Sequence, residues 1–197
     1  MKLIPKFFSI NSVKNSFLIP FISVMAVLGP VITVSGGFWD AVSHLLKEPE
    51  FFWTIQHITV YIGVSLITCA AIVGIVLLIK KSIKASLKTG IILVITGAAI
   101  QLVSGFGDSI SHEIYGIDGL ISWSHQPLEI GLVVGSLGGF LVLKNMEHTR
   151  LRILLPFSIM SFIFFTVWLG FNFALIFGHT IQCIPVYEIF SSGCAIL

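Results

Sequence analysis

Charge is what this chain has least of. Lysine, arginine, aspartate and glutamate make up 10% of its residues, where a soluble domain carries about 25%. Absent as well are a phosphate-cradling glycine loop, a dinucleotide fingerprint, a basic nucleic-acid patch and a Ser/His/Asp elbow. These absences exclude nucleotide-driven chemistry, nucleic-acid partners and the common hydrolase machinery. Cysteine is scarce too, three residues in no recurring spacing. What fills the chain instead is apolar: 56% hydrophobic residues and a mean hydropathy of +1.03, the composition of a polytopic membrane protein.

Five apolar segments are long enough to cross a bilayer, near residues 16–46, 51–81, 87–115, 119–144 and 151–178. The expected fold is therefore an all-α transmembrane bundle in a single membrane domain. It consists of two repeated helical hairpins in parallel (16–81 and 87–144), a fifth helix (151–178) and a tail (179–197). Gly29-Pro30 should kink the first helix, because proline removes a backbone donor and crowds the preceding turn. The N-terminal stretch resembles a signal peptide, but no small-residue cleavage site precedes Asp40, so a retained helix is expected. Orientation follows from the cations. With five spans, ten of the eleven Lys/Arg residues fall on one side and only Lys47 on the other. The positive-inside rule then puts the N-terminus in the cytoplasm and the tail outside.

Against this background one polar pattern occurs twice. Gly37-Phe38-Trp39-Asp40-Ala41-Val42-Ser43-His44 is followed after twelve residues by His57. Sixty-eight positions on come Gly105-Phe106-Gly107-Asp108-Ser109-Ile110-Ser111-His112 and, again after twelve residues, His125. The same offset relates Glu50 to Asp118 and Gly63 to Gly131. Aspartate and histidine are expensive in a membrane, so their return at one constant offset points to an internal duplication with a retained purpose. Asp40 and His44 are four apart and share a helix face. A hairpin brings His57 to the same level, and Asp108, His112 and His125 repeat the arrangement. Two imidazoles and a carboxylate suit iron, copper or zinc, with coordination positions left open. On this reading the six residues are metal ligands at the outer face. A haem held by His57 and His125 would leave both Asp-His pairs unexplained.

Other polar positions carry weaker expectations. Glu50 and Asp118 are expected to cap helices two and four, or to orient the ligands. Glu129, one turn past His125, is the deepest acid, and its counterpart at the 68-residue offset is Tyr61. It could orient His125, accept a proton, bind the metal, or bond to a neighbouring helix. His179 could reach the same layer from the end of helix five. Cys183 and Cys194 in the outer tail could form a disulfide or remain two thiols, while Cys69 is expected to pack mid-helix. Trp39, Trp53 and Trp123 suit an interfacial aromatic belt. Gly131, Gly135, Ser136, Gly138 and Gly139 should let another helix approach closely.

D-x3-H-x12-H across an outer-facing hairpin resembles the metal site of the C subunit of copper membrane monooxygenases, the particulate methane and ammonia monooxygenases. The resemblance covers roughly residues 35–135 and matches Asp40, His44 and His57 to a first ligand set, and Asp108, His112 and His125 to a second. Asp108 stands where that family often has Asn. Phe52-Trp53 before His57 and Tyr61-Ile62-Gly63 after it are also similar to a motif of uncharacterised bacterial and archaeal membrane proteins. The resemblance implies copper as the ion, an oxidoreductase setting, and other membrane subunits or a homo-oligomer as partners. The alternative class is a non-enzymatic metal-handling protein, a chaperone, sensor or transporter. No nucleic-acid partner is expected, and the bilayer is the one certain neighbour.

Overall fold

Helix α1, Ile10–Leu45, runs for 36 residues with Pro20 and Pro30 both inside it. At 1.5 Å per residue that is about 54 Å, well beyond a hydrocarbon core of about 30 Å. It is followed by α2 (Ile55–Lys80), α3 (Ala85–Tyr115), α4 (Gln126–Lys144), a 3₁₀ turn (Thr149–Leu154) and α5 (Leu155–Phe177). A two-residue antiparallel ladder, β1 (Ile181–Gln182) with β2 (Ala195–Ile196), closes the chain. This computed structural model describes residues 10–46, 53–80, 83–115, 121, 123–146, 149–178, 181–182 and 195–196, and the side chains of His44 and His112 lie outside what it describes. All five helices are long and apolar enough to cross a membrane, so the all-α transmembrane bundle expected from composition is the observed architecture.

Helix starts follow proline chemistry more closely than the apolar runs suggest. Pro127 and Pro156 occupy the first turns of α4 and α5, where a missing N–H has no partner to lose. Consequently α4 begins at Gln126 rather than near residue 119, and α5 follows a 3₁₀ turn.

In lipid, burial of apolar surface does little to hold helices together, and close packing must serve instead. Glycines supply it here. A Cβ on Gly29 would stand 2.8 Å from the Gly63 carbonyl oxygen, and one on Gly97 would stand 2.8 Å from that of Gly131. These two crossings, α1 on α2 and α3 on α4, lie 68 residues apart in sequence. Gly138 and Gly139 extend the contact, the first against Val94 of α3 and the second against Ala26 of α1. The small-residue stripe of α4 is therefore packing, as expected, and it makes α4 the centre of the bundle. Its span is 56% buried, whereas that of α5 is 11% buried, so α5 is peripheral. Around the crossings Ile22, Ala26, Ile67, Ala70, Leu77, Ile91, Val94 and Val142 form a closed apolar core.

Candidate metal centre

The hairpins place the C-terminal ends of α1 and α3 beside the first turns of α2 and α4. There His57 Nε2 stands 3.3 Å from Asp40 Oδ1, and His125 Nε2 stands 3.3 Å from Asp108 Oδ1. The exposed fraction of these four side chains lies between 15% and 24%, so the pairs are sheltered yet reachable. His44 and His112 follow their aspartates by one turn on α1 and α3, with side chains outside the described residues. Among the described residues no group of three or more His, Cys, Asp or Glu is gathered as a metal site. What the structure brings together is each aspartate with its distant histidine.

The depth of this layer differs from the expectation. His57 was expected seven residues into its helix, but it is the third residue of α2, and His125 directly precedes α4. The first helical bonds run from Ile58 N–H to the Thr54 carbonyl and from Glu129 N–H to the His125 carbonyl. Position 125 is the N-cap of α4 and makes no side-chain cap bond. Glu50 and Asp118 themselves lie outside the described residues, as do His179, Cys183 and Cys194. The pairs thus sit at helix ends, within the belt formed by exposed Trp39, Trp53 and Trp123.

Tyr61, one turn beyond His57, has its ring centroid 6.4 Å from that of His57. Ser43, the serine of the first repeated pattern, accepts a 2.6 Å hydrogen bond from Gln56 Nε2. This buried bond ties α1 to α2 beside the Asp40–His57 pair, and the same offset puts Ser111 and Ser124 at the corresponding positions.

Glu129 faces α5. Trp168 Nε1 donates to its Oε1 at 3.1 Å, and Asn172 Nδ2 donates to both carboxylate oxygens. Glu129 is 8% exposed and Asn172 wholly buried, so the carboxylate is held by donors rather than by water. Of the roles open to Glu129, bonding to a neighbouring helix is the one seen. Trp168 also packs on Phe38, with ring centroids 5.5 Å apart, so one side chain of α5 touches both hairpins. Sequence reasoning missed Trp168 and Asn172. The available signal was Asn172 itself, an amide in an otherwise apolar span.

No family model matches the chain, and neither curated proteins nor solved structures match it.

Proposed function

We propose that this chain is a metal-binding integral membrane protein built by internal duplication. Its ligand sets are Asp40, His44 and His57 in one hairpin and Asp108, His112 and His125 in the other. The observation that carries the proposal is the recurrence of one contact, carboxylate to imidazole at 3.3 Å, in both hairpins. Two donors each about 2.1 Å from an ion at a tetrahedral angle lie about 3.4 Å apart. A charge-assisted hydrogen bond without an ion closes to about 2.8 Å. The observed spacing thus fits two donors aimed at one cation. Both matched glycine crossings support the duplication, since they hold the two pairs in like settings.

Copper is the proposed ion because the pattern resembles the monooxygenase C subunit; the donor set also accommodates iron or zinc. In that setting the chain would be a subunit of a membrane oxidoreductase. A bound ion would supply Lewis acidity and, for copper or iron, one-electron chemistry. This chain's residues hold it, with Gln56–Ser43 fixing the helix ends and Glu129 anchoring α5. The closed apolar core between the pairs and the lysine-rich end supports holding or catalysis over passage of ions across the bilayer. The proposed orientation puts the pairs at the outer face, because Lys84, Lys88, Lys144, Arg150 and Arg152 lie at the opposite end.

Metal analysis of the detergent-purified chain tests this reading. Wild type is expected to retain metal at neutral pH. His57→Ala or His125→Ala should each lose about half of it, and the double variant nearly all. Histidine binds metal only when neutral, so occupancy should fall as pH drops below about 6. A wild-type chain that stays metal-free in excess copper, iron and zinc ends the proposal.

A further inference from the structure

The end of the bundle opposite the Asp–His pairs gathers the cations. Lys88 on α3, Lys144 on α4, and Arg150 and Arg152 on the 3₁₀ turn are all exposed there. The acids whose side chains are described, Asp40, Asp108, Glu113 and Glu129, all lie in the other half. Glu147, in the α4–α5 connection, lies outside the described residues. Depth can be read from the helices. Lys144 is the last residue of α4 and so stands where the apolar span ends. A Cβ on Gly90 of α3 would stand 2.9 Å from the Val142 backbone nitrogen. The two helices run antiparallel with one rise per residue, so two steps from that contact put Lys88 level with Lys144.

The Lys144 ammonium leans back towards the bilayer. Its Nζ lies 6.0 Å from the centroid of the Phe140 ring, one turn deeper in the span. A lysine at the end of a membrane helix ordinarily extends outward to water. This posture instead holds a cation where headgroup meets acyl chain. On the 3₁₀ turn, Leu151 and Leu154 pack inward on Val27, Leu143 and Met146. Arg150 and Ile153, three residues apart, share another face, and Ile153 is exposed. A cation beside an exposed apolar side chain is the make-up of a segment lying in the bilayer interface. We propose that Lys144, Arg150 and Arg152, with Lys88 at the same depth, bind the phosphate headgroups of acidic glycerophospholipids. A zwitterionic headgroup would bring its own cation into this layer, whereas an acidic one brings net negative charge. Helix α5 gains most from the contact. Its far end is held by Glu129, and its near end meets α4 through the turn that carries both arginines.

The test uses the full chain, purified in detergent, stripped of lipid and weighed intact by native mass spectrometry. Offered phosphatidylglycerol and phosphatidylcholine in equal amounts, it should retain the acidic lipid about fivefold more, or better. Combining Lys144→Gln, Arg150→Gln and Arg152→Gln should bring the two lipids close to parity. Lys47→Gln, past the other end of α1, should leave the preference intact. Equal retention of both lipids by wild type overturns the proposal, even where the triple variant fails to fold. A preference that survives in the triple variant overturns the assignment to these residues. Displacement of the acidic lipid by excess inorganic phosphate would make this a site for free anions, and overturns the lipid. All these readouts are independent of metal binding and of which way the chain faces.

Discussion

In the first hairpin the position one turn past the imidazole holds Tyr61, a half-exposed phenol beside Trp53. In the second the matching position holds Glu129, a buried carboxylate gripped by Trp168 and Asn172 of α5. A similar contrast runs deeper. Thr33, at the α1–α2 crossing, satisfies its hydroxyl by donating to the Gly29 carbonyl at 3.0 Å. Its counterpart Gln101, at the α3–α4 crossing, is 1% exposed, with both amide atoms lacking a partner among the described residues. The backbone crossings and Asp–His contacts are alike, whereas the residues around them differ. A scaffold set by glycine contacts tolerates such divergence, because the helices are positioned by their backbones rather than by the side chains that differ. The second hairpin has used that freedom to dock a fifth helix.

The largest expected effect breaks the shared part. Gly63→Leu drives a side chain into the backbone of Gly29 and Thr33, and should destabilise the chain by about 3 kcal/mol or more. Gly131→Leu meets the Gln101 side chain first, which can move, and should be milder. Thermal denaturation in detergent orders the two, and equal losses would show that the crossings are not differently filled.

Next comes the part that differs. Glu129→Leu leaves the Asn172 and Trp168 donors without their acceptor in a dry interface, for a loss of about 2 kcal/mol. Tyr61→Leu, at the matching but half-exposed position, should change stability by less than about 1 kcal/mol. Protease nicking of the α4–α5 connection should rise in the first variant only. The smallest effect has the opposite sign. Gln101→Leu removes an amide buried without partners and should stabilise by about 1 kcal/mol. Thr33→Val, which deletes a satisfied bond, should destabilise by a similar amount. A destabilised Gln101→Leu would mean that its amide is satisfied in the bilayer.

Much of this architecture was legible in the chain. Scarce charge and five apolar runs gave the bundle, and the 68-residue offset singled out the aspartates and histidines that meet in space. The stripe from Gly131 to Gly139 could be read as packing because only small residues let backbones touch. Helix starts were less legible. An apolar run does not mark where a helix begins, and Pro127 stands in the first turn of an α4 that starts later than the run does. The Glu129 clamp was hidden for another reason. It joins α4 to α5 across some forty residues, and no periodicity within either helix announces a partner so far away.

Helix α4 is short. Its 19 residues span about 28 Å, barely the thickness of a hydrocarbon core, while α1 and α3 run well past it. His125 stands at the very start of that short helix, so bilayer thickness sets how wet the second Asp–His pair is. In a thicker, sterol-rich membrane the lipid would rise around this pair and lower its local dielectric; in a thinner one water would reach it freely. The first pair also sits in a first helical turn, but α2 is seven residues longer than α4 and can tilt to absorb the change. The metal affinity proposed for the two pairs should therefore depend on the lipids around the chain, and unequally in its two halves.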